Sequence, residues 1–212
     1  MIILENKKLG EKMKYENNAF FRMLEIVTAF FQLNILWLLF CLPVITIFPA
    51  TVAMYCVTRQ WIIHKDYSVF RSYMKFFREN FKQSFVLGLI WLVLSGLLFL
   101  DFTLMNSLGS LQPIFYSIFL LIGFILLLTT IYIFPMMSHY RMKTIDIVKN
   151  SFFFSLRFFS TTFLSLLCIA ATGLILYFWQ ITFLFIYCVC AFCISFLCHR
   201  VFHKVQEQVK PL

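Results

Sequence analysis

Asn34-Ile35-Leu36-Trp37-Leu38-Leu39-Phe40-Cys41-Leu42-Pro43-Val44-Ile45-Thr46-Ile47-Phe48-Pro49-Ala50 decides how this chain is read. An apolar run carries an asparagine and a tryptophan, and two prolines then bracket a threonine. The residue before a proline is pushed away from the helical region, so Pro43 ends one helix. A proline is tolerated in a helix's first turn, so Pro49 opens another. Thr46 lies between them, where its hydroxyl can satisfy backbone groups that lipid would leave bare. A plain membrane anchor has no use for such a corner. The stretch predicts two apolar arms folded back on each other.

The rest of the composition agrees with a membrane setting. Of 212 residues, 62% are hydrophobic, 20% aromatic and only 13% charged. Soluble domains carry about 25% charged residues. Several apolar runs approach the ~20 residues a helix needs to cross a ~30 Å hydrocarbon core. No alternating strand pattern of barrel length occurs. The expected class is therefore all-α, an integral membrane helical bundle forming a single domain over residues 1–212.

A short polar leader, residues 1–21, precedes the first span at about 24–42. It holds Glu5, Glu11 and Glu16 and leads to no small-x-small cleavage site, so it does not read as a secretory signal. The second segment, about 44–63, is interrupted by Pro49 and reaches Thr58-Arg59-Gln60. It is thin for a full crossing and reads as short and tilted, or re-entrant. Residues 64–83 form a basic linker in which Asp66 or Ser68 can cap a helix start. Val69, Phe70, Tyr73, Phe76, Phe77 and Phe81 then recur at helical spacing, predicting an amphipathic helix on the membrane surface or against the bundle. Further spans follow at about 84–102, 114–137, 160–178 and 181–197, with a second basic, phenylalanine-rich segment from Arg141 to Arg157.

The 18 Lys and Arg fix an orientation. Five precede the first span, six lie from Arg59 to Lys82, four from Arg141 to Arg157 and three in the tail. The loop at 101–113 and the turn at 179–181 have none. By the positive-inside rule both termini are cytoplasmic, and about six segments pair into three hairpins with the Pro43–Pro49 corner turned outward. This distribution also accounts for the net charge of +9 without nucleic acid. A faint repeat relates Phe70-Arg71-Ser72 and Gln83-Ser84-Phe85 to Val148-Lys149-Asn150 and Thr161-Thr162-Phe163.

Groups that might carry chemistry are few. The cysteines, seven in all, sit mostly in apolar runs as small hydrophobes. Cys188, Cys190, Cys193 and Cys198 scatter around a helix instead of converging as zinc requires. His199 and His203 share a helix face, a spacing that can bind metal, but interfacial packing accounts for them and no metal or cofactor is expected. Gln32 and Asn34 lie inside the first span, where polar groups join helices more often than they contact substrate. Arg59 snorkels or pairs, for instance with Glu25. Ser84, Gly88 and Gly96 allow close helix approach. No P-loop, nucleophile elbow or paired carboxylate is present, and nothing reads as an enzyme.

The residues Asn34, Trp37, Pro43, Val44, Thr46, Pro49, Ala50 and Ala53, followed by Phe70, Phe76, Phe77, Asn80, Phe81 and Lys82, resemble the YesL-like family of bacterial membrane proteins, a domain family of unknown function. The resemblance runs over roughly 20–200 and is sharpest in the first 90 residues. It implies a small polytopic protein of the bacterial cytoplasmic membrane, associated with carbohydrate ABC-transport systems and without family-level catalytic residues. The expected function is thus an accessory subunit that contacts an ABC permease in the bilayer, with the Phe70–Lys82 helix as partner-docking element. The alternative is a stand-alone small-solute transporter or channel lined by Gln32, Asn34, Thr46, Thr129 and Thr130. An ABC permease itself is set aside, because residues 64–83 and 138–158 contain no glycine and no Glu-Ala-Ala triplet.

Overall fold

The computed structural model describes residues 19–64, 68–104 and 112–209. The leader's charges, the cap at Asp66, the loop at 105–111 and Lys210 fall outside the described residues. Seven α-helices follow in order: α1 (Ala19–Cys41), α2 (Ile47–His64), α3 (Phe70–Leu104), α4 (Gln112–His139), α5 (Thr144–Arg157), α6 (Phe159–Phe178) and α7 (Ile186–Val209). Short 3-10 turns at Val44–Thr46 and Gln180–Leu184 join α1 to α2 and α6 to α7. No strand occurs among the described residues. Five of the helices, α1, α3, α4, α6 and α7, are long and apolar enough to cross a membrane. The chain is a multi-pass helical membrane protein.

The sixth expected segment is α2, which is not among those five. It is one helix of 18 residues, about 27 Å at 1.5 Å per residue. Thr51, Thr58, Arg59, Gln60 and His64 keep its hydropathy below that of the other five. It has no need of a lipid-facing surface, because it packs against α1, α3, α4 and α7 and forms the centre of the bundle. Ala50, Val52, Ala53 and Val57 are fully buried on it. Two of its polar side chains find partners on those neighbours. The hydroxyls of Thr58 and Ser195 share a hydrogen bond of 2.9 Å, and Arg59 Nη1–H donates to the Ser138 carbonyl at 2.8 Å. Arg59 therefore does not pair with Glu25, which is exposed on α1. The carbonyls near the end of α4 are closer to hand.

A second difference concerns residues 70–102. The expected surface helix and the span after it are a single helix, α3, of 35 residues. That is about 52 Å of helix, well over the ~30 Å hydrocarbon core. Nothing in Phe70–Leu87 breaks it: no proline or glycine intervenes, and Arg, Lys, Glu, Gln and Met all favour helix. The change of polarity near Ser84 marks a change of surroundings, not a helix end. The first turns pack on the bundle. Tyr73 is fully buried, its O–H donates to the Ala50 carbonyl at 3.2 Å, and the Phe77 ring lies 4.8 Å from Phe40.

The second basic segment forms the separate amphipathic helix α5, burying Ile147, Ser151 and Ser155. It stops at Phe158, whose φ of −110° and ψ of 54° leave the helical region. The two halves of the suggested repeat are thus built differently, one running on into its span and the other breaking before it. At the far side, Tyr177, Phe178 and Trp179 are exposed around the α6–α7 turn. Aromatic residues favour that interfacial position.

Candidate functional site

The Asn34–Ala50 stretch is a compact device with its polar groups closed internally. After α1 ends, the Leu42 N–H reaches the Leu39 carbonyl at 3.4 Å and the Thr46 N–H reaches Pro43 at 2.9 Å. The Thr46 hydroxyl is shared between the carbonyls of Phe40 (2.5 Å) and Pro43 (2.8 Å). This is the role its position between the prolines predicts. Across the corner, the Trp37 indole N–H donates to Thr51 Oγ1 at 3.2 Å, and the Thr51 hydroxyl donates to Ile47 at 2.7 Å. Pro49 and Ala50 are buried. Leu42, Val44 and Ile45 project outward, with Leu42 78% exposed. An apolar tip with satisfied backbone suits hydrocarbon or protein surroundings more than water. Nor is the tip bare, since Phe48 and Ala50 are covered by Gly88 and Tyr73 of α3.

Asn34 does a different job. It is fully buried, and its Nδ2–H donates to the Phe183 carbonyl at 2.9 Å while its Oδ1 accepts the Cys188 N–H at 3.2 Å. Cys188 is in the first turn of α7, where backbone N–H groups lack partners within the helix. One side chain on α1 therefore ties off the turn before α7 and the start of α7 together. Two ring contacts reinforce the seam: Trp37 to Tyr187 at 4.8 Å and Phe31 to Phe185 at 4.9 Å.

The remaining sequence candidates are dispersed. Gln32 faces outward, away from Asn34. Thr129 and Thr130 donate to carbonyls one turn back, and Thr130 also accepts the Trp91 indole N–H at 2.8 Å. With Thr46 held in the corner, these groups do not line one path. On α3, Phe76 and Phe77 pack against the core, Phe81 is half-buried between Phe77 and Phe85, and Asn80 donates to the Phe76 carbonyl at 3.0 Å. Phe70 and Lys82 stay exposed. Gly88 approaches α2 closely, and Gly96 faces open space. His139, His199 and His203 gather at one end, with ring centroids 5.9 and 6.4 Å apart, and His203 Nδ1 lies 3.2 Å from Glu207 Oε1. Among the described residues no three His, Cys, Asp or Glu side chains are placed to hold a metal, and the seven cysteines are free.

The sequence reading passed over the hub role of α2, the Tyr73–Ala50 tie and the Thr58–Ser195 pair. Small residues at Ala50, Ala53 and Val57 were the available signal for the first, a stripe that admits close neighbours. The other two join residues far apart in the chain and leave no local trace.

Residues 30–102, which cover the second half of α1, the corner, α2 and nearly all of α3, match the family described as "Protein of unknown function, DUF624". The uncharacterized protein YesL of Bacillus subtilis (strain 168) is 34% identical over 125 residues. Over that stretch the chain is similar to YesL. That alignment covers 57% of this chain and 59% of YesL, so the chain spans less than two thirds of that relative's length. The uncharacterized proteins YteU and YesV of the same strain are also similar. YteU is 27% identical over 191 residues, covering 88% of this chain and 86% of its own. YesV is 28% identical over 142 residues, covering 65% and 68%. No solved structure matches. The segment that matches the family model thus runs from within α1 through the corner and α2 into α3, and Asn34 reaches out of it to α7.

Proposed function

We propose that the chain is a non-catalytic accessory subunit of the bacterial cytoplasmic membrane that docks on the permease of a carbohydrate ABC-transport system. The observation that carries the docking part is a pair of helices outside the apolar cores of the spans whose outer faces have no partner among the described residues. The first turns of α3 expose Phe70 beside Arg71, Lys75, Arg78 and Lys82. On α5, Ile145 is 80% exposed and Phe153 55%, opposite the buried Ile147 and Ser151. Apolar anchors among cations suit a partner surface better than water. The choice of partner rests on the family resemblance alone.

Mild-detergent purification of the tagged chain, with quantification of what travels with it, tests the reading. Permease subunits at a fixed ratio are expected, and Arg71→Glu with Ile145→Asp should lower that ratio at least ten-fold while the chain stays folded. Isolation alone, or an unchanged ratio in the variant, overturns it. The stand-alone transporter reading has the weaker support, because its candidate polar residues are occupied within the fold or, at Gln32, turned outward.

The same proposal places both termini, α5 and the start of α3 in the cytoplasm, on the strength of the basic residues. With the native cysteines replaced by serine or alanine, Lys143→Cys should react with an impermeant maleimide only after permeabilisation, and Ser107→Cys in intact cells. The opposite pattern reverses the orientation.

A further inference from the structure

A cavity of about 630 Å3 lies between α4, α6 and α7 and is closed at the back by α1 and α2. Its size falls within the ~300–1,000 Å3 of small-molecule sites. Leu127, Phe134, Ile169, Leu176, Ala191 and Ile194 supply most of the wall. Leu127 and Ile169 are also exposed on the outer surface of the bundle. The mouth is therefore continuous with the apolar face that the spanning helices turn to the bilayer.

The polar groups on the wall are of two kinds. Those of Trp37, Thr51, Thr130 and Thr172 are spent inside the protein: the indole bonds Thr51, and the three hydroxyls donate to carbonyls of Ile47, Leu126 and Cys168. Tyr55 and Tyr187 differ. Tyr55 is only 6% exposed, and neither phenol hydroxyl has a hydrogen-bond partner among the described residues. Water gains little from such a wall, and apolar cavities stay dry and take apolar guests. A guest with a long apolar part and a hydrogen-bond acceptor fits both halves of the lining.

We propose that this cavity is a lipid site that takes one acyl chain of a phospholipid from the surrounding bilayer, with the ester carbonyl accepting a hydrogen bond from Tyr187. Tyr187 suits the ester depth because it directly follows the α6–α7 turn, where Tyr177 and Trp179 mark the interface. The chain then lies along α4 and α6 toward Phe134 and Ile194. A membrane protein cannot leave so large an apolar opening empty at hydrocarbon depth, and the adjoining phase supplies acyl chains in excess.

Gly173 provides the test, because it lines the cavity and a Cβ added there meets nothing within 4 Å. Gly173→Phe therefore fills the cavity without disturbing the helix, and Gly173→Leu is a smaller second plug. Gly96→Phe, equally unobstructed but remote from the cavity, is the control. The chain, stripped of lipid in detergent and reloaded with phosphatidylglycerol or with palmitate, is weighed by native mass spectrometry. The unaltered chain and Gly96→Phe should each retain one phosphatidylglycerol. Gly173→Phe and Gly173→Leu should lower that occupancy at least ten-fold, and Tyr187→Phe should weaken phosphatidylglycerol several-fold and more than palmitate. No retained phospholipid on the unaltered chain overturns the proposal, as does equal retention by both plugged variants. Equal binding of palmitate and phosphatidylglycerol removes the ester contact. A dimer that Gly173→Phe splits assigns the cavity to a second copy instead.

Discussion

Asn34→Leu is expected to lower the stability of the bundle by about 1–3 kcal/mol, measured by unfolding in mixed micelles. Leucine keeps asparagine's branching but is bulkier, so overpacking adds to the cost of the polar groups it abandons. Two are left behind, the Phe183 carbonyl and the Cys188 N–H, the second of them on a fully buried residue. A buried donor or acceptor without a partner costs about 1–3 kcal/mol in water-soluble proteins. Hydrogen bonds between helices in membranes average only about 0.6 kcal/mol, because the unfolded chain in lipid also finds partners. Two such losses with one unsatisfied N–H at the start of a helix place the sum within the stated range. Gln32→Leu supplies the contrast, since Gln32 is exposed on the same helix two residues earlier and should be neutral. If Asn34 instead contacted a solute, Asn34→Leu would leave unfolding unchanged and alter only transport. An unchanged unfolding midpoint therefore removes the joining role. Asn34→Gln should lie between, because it keeps both functional groups but carries an extra methylene into a closely packed seam.

Asn34 also shows where sequence reasoning ends. That a polar side chain in an apolar run joins helices is legible from the run itself. Its partner 149 residues away is not, since nothing near Phe183 announces a bare carbonyl. The corner is the opposite case, because Pro43, Thr46 and Pro49 act on their own neighbours and so could be read directly. Spans α4 and α6 were legible for a related reason: lipid contact requires an unbroken apolar length, and length is visible in a string of residues. The same rule left α2 as a short or re-entrant segment and divided α3 in two. In α2 the polar residues suggested a marginal crossing, but a helix enclosed by four others can carry Thr58 and Arg59 where neighbours supply partners. In α3 the change from basic to apolar at Ser84 looked like a boundary between elements. Helix propensity runs straight through it, and only the environment changes.

Gly88→Leu is expected to have the larger packing effect, destabilising the chain by about 1–3 kcal/mol as overpacking does, with Gly88→Ala following in the same direction. At an ordinary position the second change would help, because glycine inside a helix is less favourable than alanine by about 1 kcal/mol. Gly96→Ala, with open space around its Cβ, should show that gain or remain neutral. At Gly88 the added Cβ would lie 2.8 Å from both Cβ and Cγ of Phe48. Those atoms sit at the root of the side chain, so a rotamer change does not clear them and α2 itself must shift. The shift is resisted on the other side of Phe48, whose ring packs 5.3 Å from that of Phe134 on α4. Alanine substitutions at two glycines of one helix should therefore differ in sign for a reason local to one contact. Unfolding midpoints of Gly88→Ala, Phe48→Ala and the double variant form a cycle that isolates it. Phe48→Ala alone removes packing, yet in the Gly88→Ala background it also removes the Cγ and Cδ2 contacts and leaves only the one with Cβ, so the double variant should be more stable than the sum of the two losses. Strict additivity would mean that α2 and α3 do not meet at Gly88, and the hub position of α2 would have to be redrawn from that contact outward.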